Sequence, residues 1–310
     1  MRLFRDYTEA FRAKIGTTVV TVGNFDGVHL GHRAVLHRAR VEADSLGLEL
    51  AAMTFEPHPE SFLRPSAERM RLIEPGRKVE LLAEAGAAIV LAQRFDGTFA
   101  ALDSDAFADK ILCRALGARH VIVGENFRFG RGRTGDIESL RAAGERLGFE
   151  VHGERLVRVG DMEVSSSRIR ALVSAGEVAL ARRLLGRLHE IPGTVVRGLG
   201  QGRSLGFPTI NLSEVEVLAP GPGIYAALAE VGGEAWPAAA YTGTRPTTGG
   251  GPTLEAHLLG FSGDLYGRRV TLRFVEKLRG ERTFEDVEAL KAQIRADVAL
   301  ARRVLEETLG

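Results

Sequence analysis

The sequence predicts two domains of different class, an α/β domain with a parallel sheet followed by a small antiparallel β-barrel. Three observations carry this. The first half alternates short β-branched runs with amphipathic helical stretches, the pattern of β-α-β crossovers. From Leu188 onward the pattern changes to short strands separated by glycine turns. At 310 residues the chain is long enough to bury two cores. Helical residues run out at Leu185-Gly186, so the domains are placed at residues 1–186 and 187–310.

Composition narrows the function classes. Hydrophobic residues make up 45% and charged residues 26%, as in a soluble globular protein. A net charge of +1 supplies no field that would draw the chain to nucleic acid or to a membrane, so neither is expected as a partner. Of the 41 basic residues 36 are arginine, so an individual arginine says little about phosphate binding. A single cysteine, Cys113, excludes an internal disulfide and fits the cytoplasm. Cys113 shares a helical apolar face with Phe107, Ile111 and Leu116 and reads as core. The opening MRLFRDYTEAFRAK lacks the apolar run of a signal peptide, and no run of about 18 apolar residues follows that would span a membrane.

In chain order, Thr17–Val22 is a buried strand, Gly23–Gly27 a turn, and His32–Leu46 a helix with Val35, Leu36, Ala39, Ala43 and Leu46 on one face. His29 and His32 therefore sit where a strand hands over to a helix, the ligand-binding end of an open α/β sheet. The amino end of that helix suits a phosphate, and two imidazoles there can donate to a phosphate gaining charge. Gly27 and Gly31 allow close backbone approach. Glu49–Phe55 is the second strand, stopped by Glu56-Pro-His-Pro59, in which His58 fits either a site residue or a loop residue. Arg77–Glu84 is helical and Ala87–Leu91 is the third strand. Ser104 is placed as the cap of a helix over Asp105–Leu116, and His120–Val123 is strand four. The loop Gly124–Asp136 offers Asn126, Phe127, Arg128 and Phe129, with both phenylalanines suited to packing on a flat ring or to pinning the loop by burial. A helix over Ile137–Leu147 and a strand over Glu150–Val159 follow. Val164-Ser-Ser-Ser-Arg-Ile-Arg170 then opens a further helix, and its hydroxyls and guanidiniums read as an anion site or as simple serine capping.

In the second half Gly223–Glu230, Ala235–Thr242, Thr253–Leu259 and Arg268–Leu278 read as strands, and five or six such strands suggest a closed barrel without bare edges. A closing helix is expected to start at Thr283, with Phe284, Val287, Leu290, Ile294 and Val298 facing inward. Gly193–Asn211 is glycine-rich but lacks the GK[ST] of a Walker loop and lies in β context. Thr209 and Asn211 carry the hard oxygens that magnesium prefers. Glu255 alone reads as one acidic residue pointing off a strand, and His257, on the same face, reads as structural.

The run Gly23-Asn-Phe-Asp-Gly-Val-His-Leu-Gly-His32 resembles the HxGH signature of the nucleotidyltransferase superfamily. In detail it resembles the G-x-F-D-G-V-H-x-G-H motif of the FMN adenylyltransferase branch, one half of the bacterial bifunctional riboflavin kinase/FAD synthetase family. TFEPHP at 54–59, the loop at 124–136, and the I-S-S-T-x-I-R element, matched with Ser167 in the threonine's place, resemble further motifs of that half. The resemblance implies a Rossmann-like domain in which His29, His32 and Arg170 act on the transferred phosphate. It also implies that Gly23, Phe25, Asp26, Gly31, Asn126, Phe127, Arg128, Ser166 and Ser167 bind nucleotide or flavin. The second half resembles the riboflavin kinase signature G-x-V-x-x-G-x-x-x-G-x-x-x-G-x-P-T-x-N, continued at Gly243–Thr247, Leu254–His257 and Gly263–Gly267. That implies ATP held by Gly198, Gly200, Gly202, Gly206 and Pro208, magnesium held by Thr209 and Asn211, and Glu255 as the base toward the ribityl hydroxyl. Riboflavin, FMN, FAD and ATP are the implied small-molecule partners. The chain departs from the family at Tyr241-Thr242, where asparagine is frequent, and at the triple glycine Gly249–Gly251. Three rivals stay open: another HxGH transferase fused to a binding barrel, a non-catalytic flavin binder, and a chain with one inactive half.

Overall fold

The computed structural model describes residues 1–63, 71–198, 200–244 and 252–309, in two compact units, Met1–Ser165 and Ser166–Gly310. In the first unit six strands, β1 (Arg2–Phe4), β2 (Thr18–Val22), β3 (Glu49–Glu56), β4 (Ile89–Arg94), β5 (Ala118–Gly124) and β6 (Glu150–Glu154), form one sheet in the order β1-β4-β3-β2-β5-β6. Every pairing in it is parallel. All five residues of β2 are buried, as its β-branched run requires of a central strand covered on both faces. Helices α1 (Tyr7–Arg12), α2 (Leu30–Leu46), α3 (Pro59–Leu63), α4 (Pro75–Glu84), α5 (Gly97–Ala100), α6 (Ser104–Ala106) and α7 (Ile137–Leu147) complete this unit, with α6 running on as a π-helical segment over Phe107–Ala115. Two apolar clusters fill the two faces: Leu36, Ala39 and Ala43 of α2 pack in one, and Phe107, Ile111 and Leu140 in the other.

Three local expectations shift. Asp103, not Ser104, caps α6, its carboxylate accepting from the Ala106 N–H at 2.7 Å. The strand expected over Glu150–Val159 stops at Glu154, and the remainder forms a hairpin of β7 (Arg158–Val159) and β8 (Met162–Glu163). β1, too short to show a pattern, adds an edge strand beside β4.

In the second unit α8 (Ser166–Ala175) and α9 (Val178–Leu185) lead into β9 (His189–Val196), α10 (Gln201–Ser204), β10 (Ile210–Ser213), β11 (Gly223–Val231), β12 (Glu234–Thr244), β13 (Pro252–Leu258), β14 (Arg269–Arg279) and α11 (Val287–Leu309). The six strands close into an antiparallel barrel in the order β10-β13-β12-β11-β14-β9. Gly186 caps α9 in the left-handed conformation, φ 71°, where the sequence changes character. The helix pair nonetheless packs with the barrel. Val178 belongs to the barrel's core cluster, and the Gly221 N–H donates to the Val173 carbonyl at 3.0 Å. The compact units therefore divide ahead of α8 rather than at Gly186.

The closing helix starts later than expected and keeps its expected inward face from Leu290 onward. It starts at Val287, with Asp286 as cap to the Ala289 N–H at 2.7 Å, and Val287 is 55% exposed. Asp297, Ala301 and Leu305 are its buried residues, on the same face as the expected Leu290, Ile294 and Val298, which are half-buried. A charge pair lies on that face, which the apolar stripe did not reveal. Arg279, at the end of β14, donates from Nε and Nη2 to the Asp297 carboxylate at 2.9 and 2.7 Å, and Asp297 is only 5% exposed. A bidentate pair of this kind fixes a geometry that an apolar stripe cannot.

Asp297→Ala should strand the guanidinium and destabilise the protein by about 3 kcal/mol in denaturant unfolding, with Arg279→Ala costing a similar amount. A double variant no worse than either single would confirm the coupling, and full additivity would refute it.

Candidate active sites

In the first unit the chemistry gathers at the carboxyl end of β2. The turn after it is tight: Phe25 and Val28 hold φ of +48° and +37°, and Gly27 holds +83°. Positive φ in non-glycine residues is costly and persists where surroundings dictate it. Here the Phe25 ring is buried and packs edge-on to His32, with ring centres 5.2 Å apart, and the backbone at Gly23 passes beneath it, where a Cβ would lie 3.2 Å from the ring. Phe25 thus buttresses a histidine. Asp26, also buried, accepts the Leu72 N–H at 2.8 Å and ties the turn to the segment ahead of α4.

His29 is the N-cap of α2. Its Nδ1 accepts the His32 N–H at 3.3 Å, taking up one of the helix's unpaired amides. In the neutral ring that leaves the proton on Nε2, which faces away from the helix end as a donor. The two imidazoles stack, 3.6 Å between centres and 15° between planes. Gly31 makes the stack possible, since a Cβ there would lie 3.2 Å from the His29 ring. The two sequence-predicted histidines are therefore brought together, one of them fixed by the helix it starts.

At the end of the adjacent β3, His58 accepts the Glu60 N–H through Nδ1 at 3.2 Å. Nearby lies a group that the sequence did not reveal. Lys78 on α4 is buried; its ammonium donates to the Phe55 carbonyl at 3.1 Å and to Glu56 at 3.4 Å. Burial pushes it below the ordinary lysine value, against the pull of Glu56 and Asp26. Arg71 pairs with the same Glu56 at 3.3 Å. A lysine in the amphipathic run of α4 reads as a solvent-facing residue, so only the tertiary packing discloses it.

The loop after β5 divides its aromatic pair. Phe129 is buried in the core beside Phe107, at 5.3 Å, and the chain folds back over it through reciprocal hydrogen bonds with Gly135. A Cβ at Gly135 would lie 2.8 Å from the Phe129 ring. Phe129 therefore pins the loop, and the expectation that both rings face a ligand fails for it. Phe127 stacks on Phe129 at 5.4 Å and is half-buried, while Asn126 and Arg128 are exposed. Asp136 ends the loop and caps α7, and the hydrogen bond from the Ser139 N–H holds its carboxyl below the usual carboxylate range. Ser166, Ser167 and Arg170 occupy the first turns of α8, in the second compact unit, with Ser167 exposed and Ser166 and Arg170 half-buried.

In the barrel, inward positions alternate with outward ones. Leu212, Leu254 and Ala256 enter the core, so Asn211, Glu255 and His257 take the outer face. Register then sets a row across three strands: Asn211 of β10 is opposite Glu255 of β13, and Glu255 is opposite Tyr241 of β12. Thr209 donates to the Glu255 carboxylate at 3.3 Å. Tyr241 donates to Glu281 at 2.6 Å. Gly198 lies against Asn211, where a Cβ would sit 2.5 Å from the amide nitrogen, and Gly202 lies against the Phe207 carbonyl and Thr209. Gly200 and Gly206 take positive φ, 72° and 89°, to turn the loop. The Pro208 carbonyl can only accept, so His257 donates to it through Nδ1 at 2.8 Å and ties β13 to the turn ahead of Thr209. Arg245–Thr247 and Gly249–Gly251 lie outside the described residues.

The chain as a whole is similar to known proteins. Residues 12–168 match the FAD synthetase family model, and residues 185–305 match the riboflavin kinase family model. The bifunctional riboflavin kinase/FMN adenylyltransferase of Pseudomonas fluorescens is 41% identical over 92% of both chains. The Escherichia coli K12 protein of the same name is 38% identical over 97% of both, and that of Bacillus subtilis is 33% identical over 90% of both. A crystal structure described as a macrolide-efflux protein from Streptococcus pneumoniae superposes with a TM-score of 0.87 at 27% identity, covering 97% of this chain and 98% of the other. Among the described residues no helix is long and apolar enough to cross a membrane.

The buried Lys78 makes a pH prediction. Its folded value lies below the unfolded 10.5, so in the window between them the unfolded chain binds the extra proton. Stability from this group therefore rises as pH climbs through that window. Lys78→Met should flatten the rise in the urea midpoint, and an unchanged slope would show that the amine is not held in a depressed state.

Proposed function

The chain belongs to the bifunctional riboflavin kinase/FMN adenylyltransferase family, and on that premise we propose how its residues divide the two reactions. The protein phosphorylates riboflavin with ATP to give FMN and transfers AMP from a second ATP to FMN, giving FAD and pyrophosphate. We assign the kinase to residues 187–310 and the adenylyl transfer to residues 1–186; the riboflavin kinase match begins at residue 185, beside Gly186.

The observation that carries the kinase assignment is the meeting of Pro208–Asn211 with Leu254–His257, segments joined by the Thr209–Glu255 hydrogen bond at 3.3 Å. Glu255 accepts the proton from the ribityl hydroxyl as that oxygen attacks the γ-phosphorus of ATP, whose bond to the bridging oxygen breaks to release ADP. The glycines of the 198–206 loop keep the backbone low over Asn211 and Thr209, where phosphate oxygens approach N–H groups. Thr209 and Asn211 supply hard oxygen donors beside Glu255, a pair that would fit Mg2+. When bound there, the ion neutralises phosphate charge. In the first unit His29 Nε2–H and His32 donate to the α-phosphate as the FMN phosphate attacks it, and the amino end of α2 stabilises the same charge. Gly23, Gly31, Asn126, Phe127 and Arg128 are assigned to nucleotide and flavin, with Phe25 and Asp26 holding the turn. Ser166, Ser167 and Arg170 take the leaving pyrophosphate in this assignment, on the strength of the family motif. We place the protein in the cytoplasm, whose reducing conditions suit a chain with one cysteine.

Riboflavin, ATP and Mg2+ are supplied, and FMN and FAD are separated by chromatography. His29→Ala with His32→Ala should lower FAD formation at least about 100-fold while FMN formation continues. Glu255→Gln should stop riboflavin consumption yet convert added FMN to FAD. Equal loss of both activities in either variant would contradict the division. Asn211→Ala should raise the Mg2+ concentration needed for FMN formation, and an unchanged requirement would remove Asn211 from the metal.

A further inference from the structure

Away from the histidines at its amino end, α2 carries a second polar feature. Glu42, three-quarters of the way along the helix, faces the sheet beside the buried Ala39 and Ala43. Beneath it, β5 and β6 present His120 and His152, and one ligand atom from each of Glu42, His120 and His152 lies within 4.8 Å of the others. The pairing register explains the meeting. His120 is opposite Glu150, so His152, two residues on, shares their face of the sheet. The imidazole planes are parallel to within 4°, with centres 5.7 Å apart.

We propose that Glu42, His120 and His152 form a binding site for one divalent transition-metal ion of the zinc class. His120 is 7% exposed, and its Nδ1 has no hydrogen-bond partner; nor has the buried Nε2 of His152. Buried ring nitrogens normally have partners, so two unmatched ones aimed at a shared carboxylate mark a place made for a ligand. The separations suit a metal. Tetrahedral bonds of about 2.1 Å put neighbouring ligand atoms about 3.4 Å apart. His120 Nδ1 and Glu42 Oε1 already stand at 3.4 Å. His152 closes the remainder by side-chain rotation, for which it has room, its side chain being 37% exposed. Glu150, with a carboxylate oxygen 3.9 Å from His120 Nδ1 and 3.8 Å from His152 Nε2, completes four-fold coordination and balances the ion's charge. Arg38, 3.3 Å from the other oxygen of Glu42, orients that carboxylate. Two imidazoles and two carboxylates select zinc, cobalt or nickel over the all-oxygen preference of magnesium.

The site is distinct from the adenylyl-transfer histidines. Glu42 follows His32 by ten residues, about 15 Å along the helix axis. It clamps α2 to β5 and β6 and so holds the helix whose first turn positions His29 and His32. Its role is to stabilise the first unit, with no part in either transfer.

The test uses the full chain without an affinity tag, stripped of metal by a chelator and dialysed. Titration with Co2+ should bind one ion per chain at this site and give the intense visible absorption of four-coordinate cobalt, displaced by Zn2+. Zn2+ should also raise the thermal midpoint of the parent chain. His152→Ala and Glu42→Gln, both at partly exposed side chains, should weaken binding at least about tenfold and abolish the absorption and the Zn2+-dependent shift. Both should leave FMN and FAD formation in Mg2+ unchanged. Absence of stoichiometric cobalt uptake by the parent chain, or cobalt absorption unaltered in His152→Ala, would overturn the proposal.

Discussion

Where a strand or helix stops, its last backbone groups need partners, and in this protein candidate site residues and their neighbours supply them. His29 takes the His32 amide at the start of α2, and Asp26 takes the Leu72 amide beside it. Asp136 takes the Ser139 amide at the start of α7, and His257 gives its proton to the Pro208 carbonyl ahead of Thr209. Each bond does two things. It satisfies a group that would otherwise be costly to bury, and it fixes a side chain or loop beside the proposed sites. For His29 the consequence is chemical as well as geometric, because accepting at Nδ1 sends the neutral ring's proton to Nε2.

The barrel reaches the same end through register. Its inward alternation leaves every second residue of β10, β12 and β13 outside, and the pairing then lines up Asn211, Glu255 and Tyr241. A slip of one residue would send Glu255 into the core and Leu254 outward. Closure of the six strands, with Leu212, Leu254 and Ala256 filling the interior, makes that slip expensive. The row is thus a by-product of the same packing that holds the barrel together. Tyr241, where the family often has asparagine nearby, spends its hydroxyl on Glu281 rather than on Glu255.

Much of this was legible in the sequence where one local signal coincided with one element. The β-branched run, glycine turn and helical period from Thr17 to Leu46 gave β2, the turn and α2 nearly to the residue. The change of period at Gly186 marked the end of α9, but chain pattern could not show that α8 and α9 pack with the barrel. The rest depended on distance in space. Thr209 and Glu255 meet only because strands close into a barrel, and Glu42, His120 and His152 come from three separate elements. Nothing in the sequence singled out Lys78, which is buried only because the ends of β3 and α4 come together. Hydrophobic patterning placed the inward face of α11 through Leu290, Ile294 and Val298, but it gave no weight to a buried aspartate, and Asp297, paired with Arg279, sits on that face too. Phe129 and Phe127 look alike in sequence; the space above Gly135 decides which of them turns in.

The central claim is that two separate sets of residues carry two consecutive reactions. Mixing two disabled chains tests it most directly: one lacking His29 and His32, the other lacking Glu255, given riboflavin, ATP and Mg2+ together. Neither chain alone should make FAD from riboflavin. The mixture should, because FMN made by the first chain is substrate for the second. A mixture that accumulates FMN without FAD, or that leaves riboflavin untouched, would contradict the account.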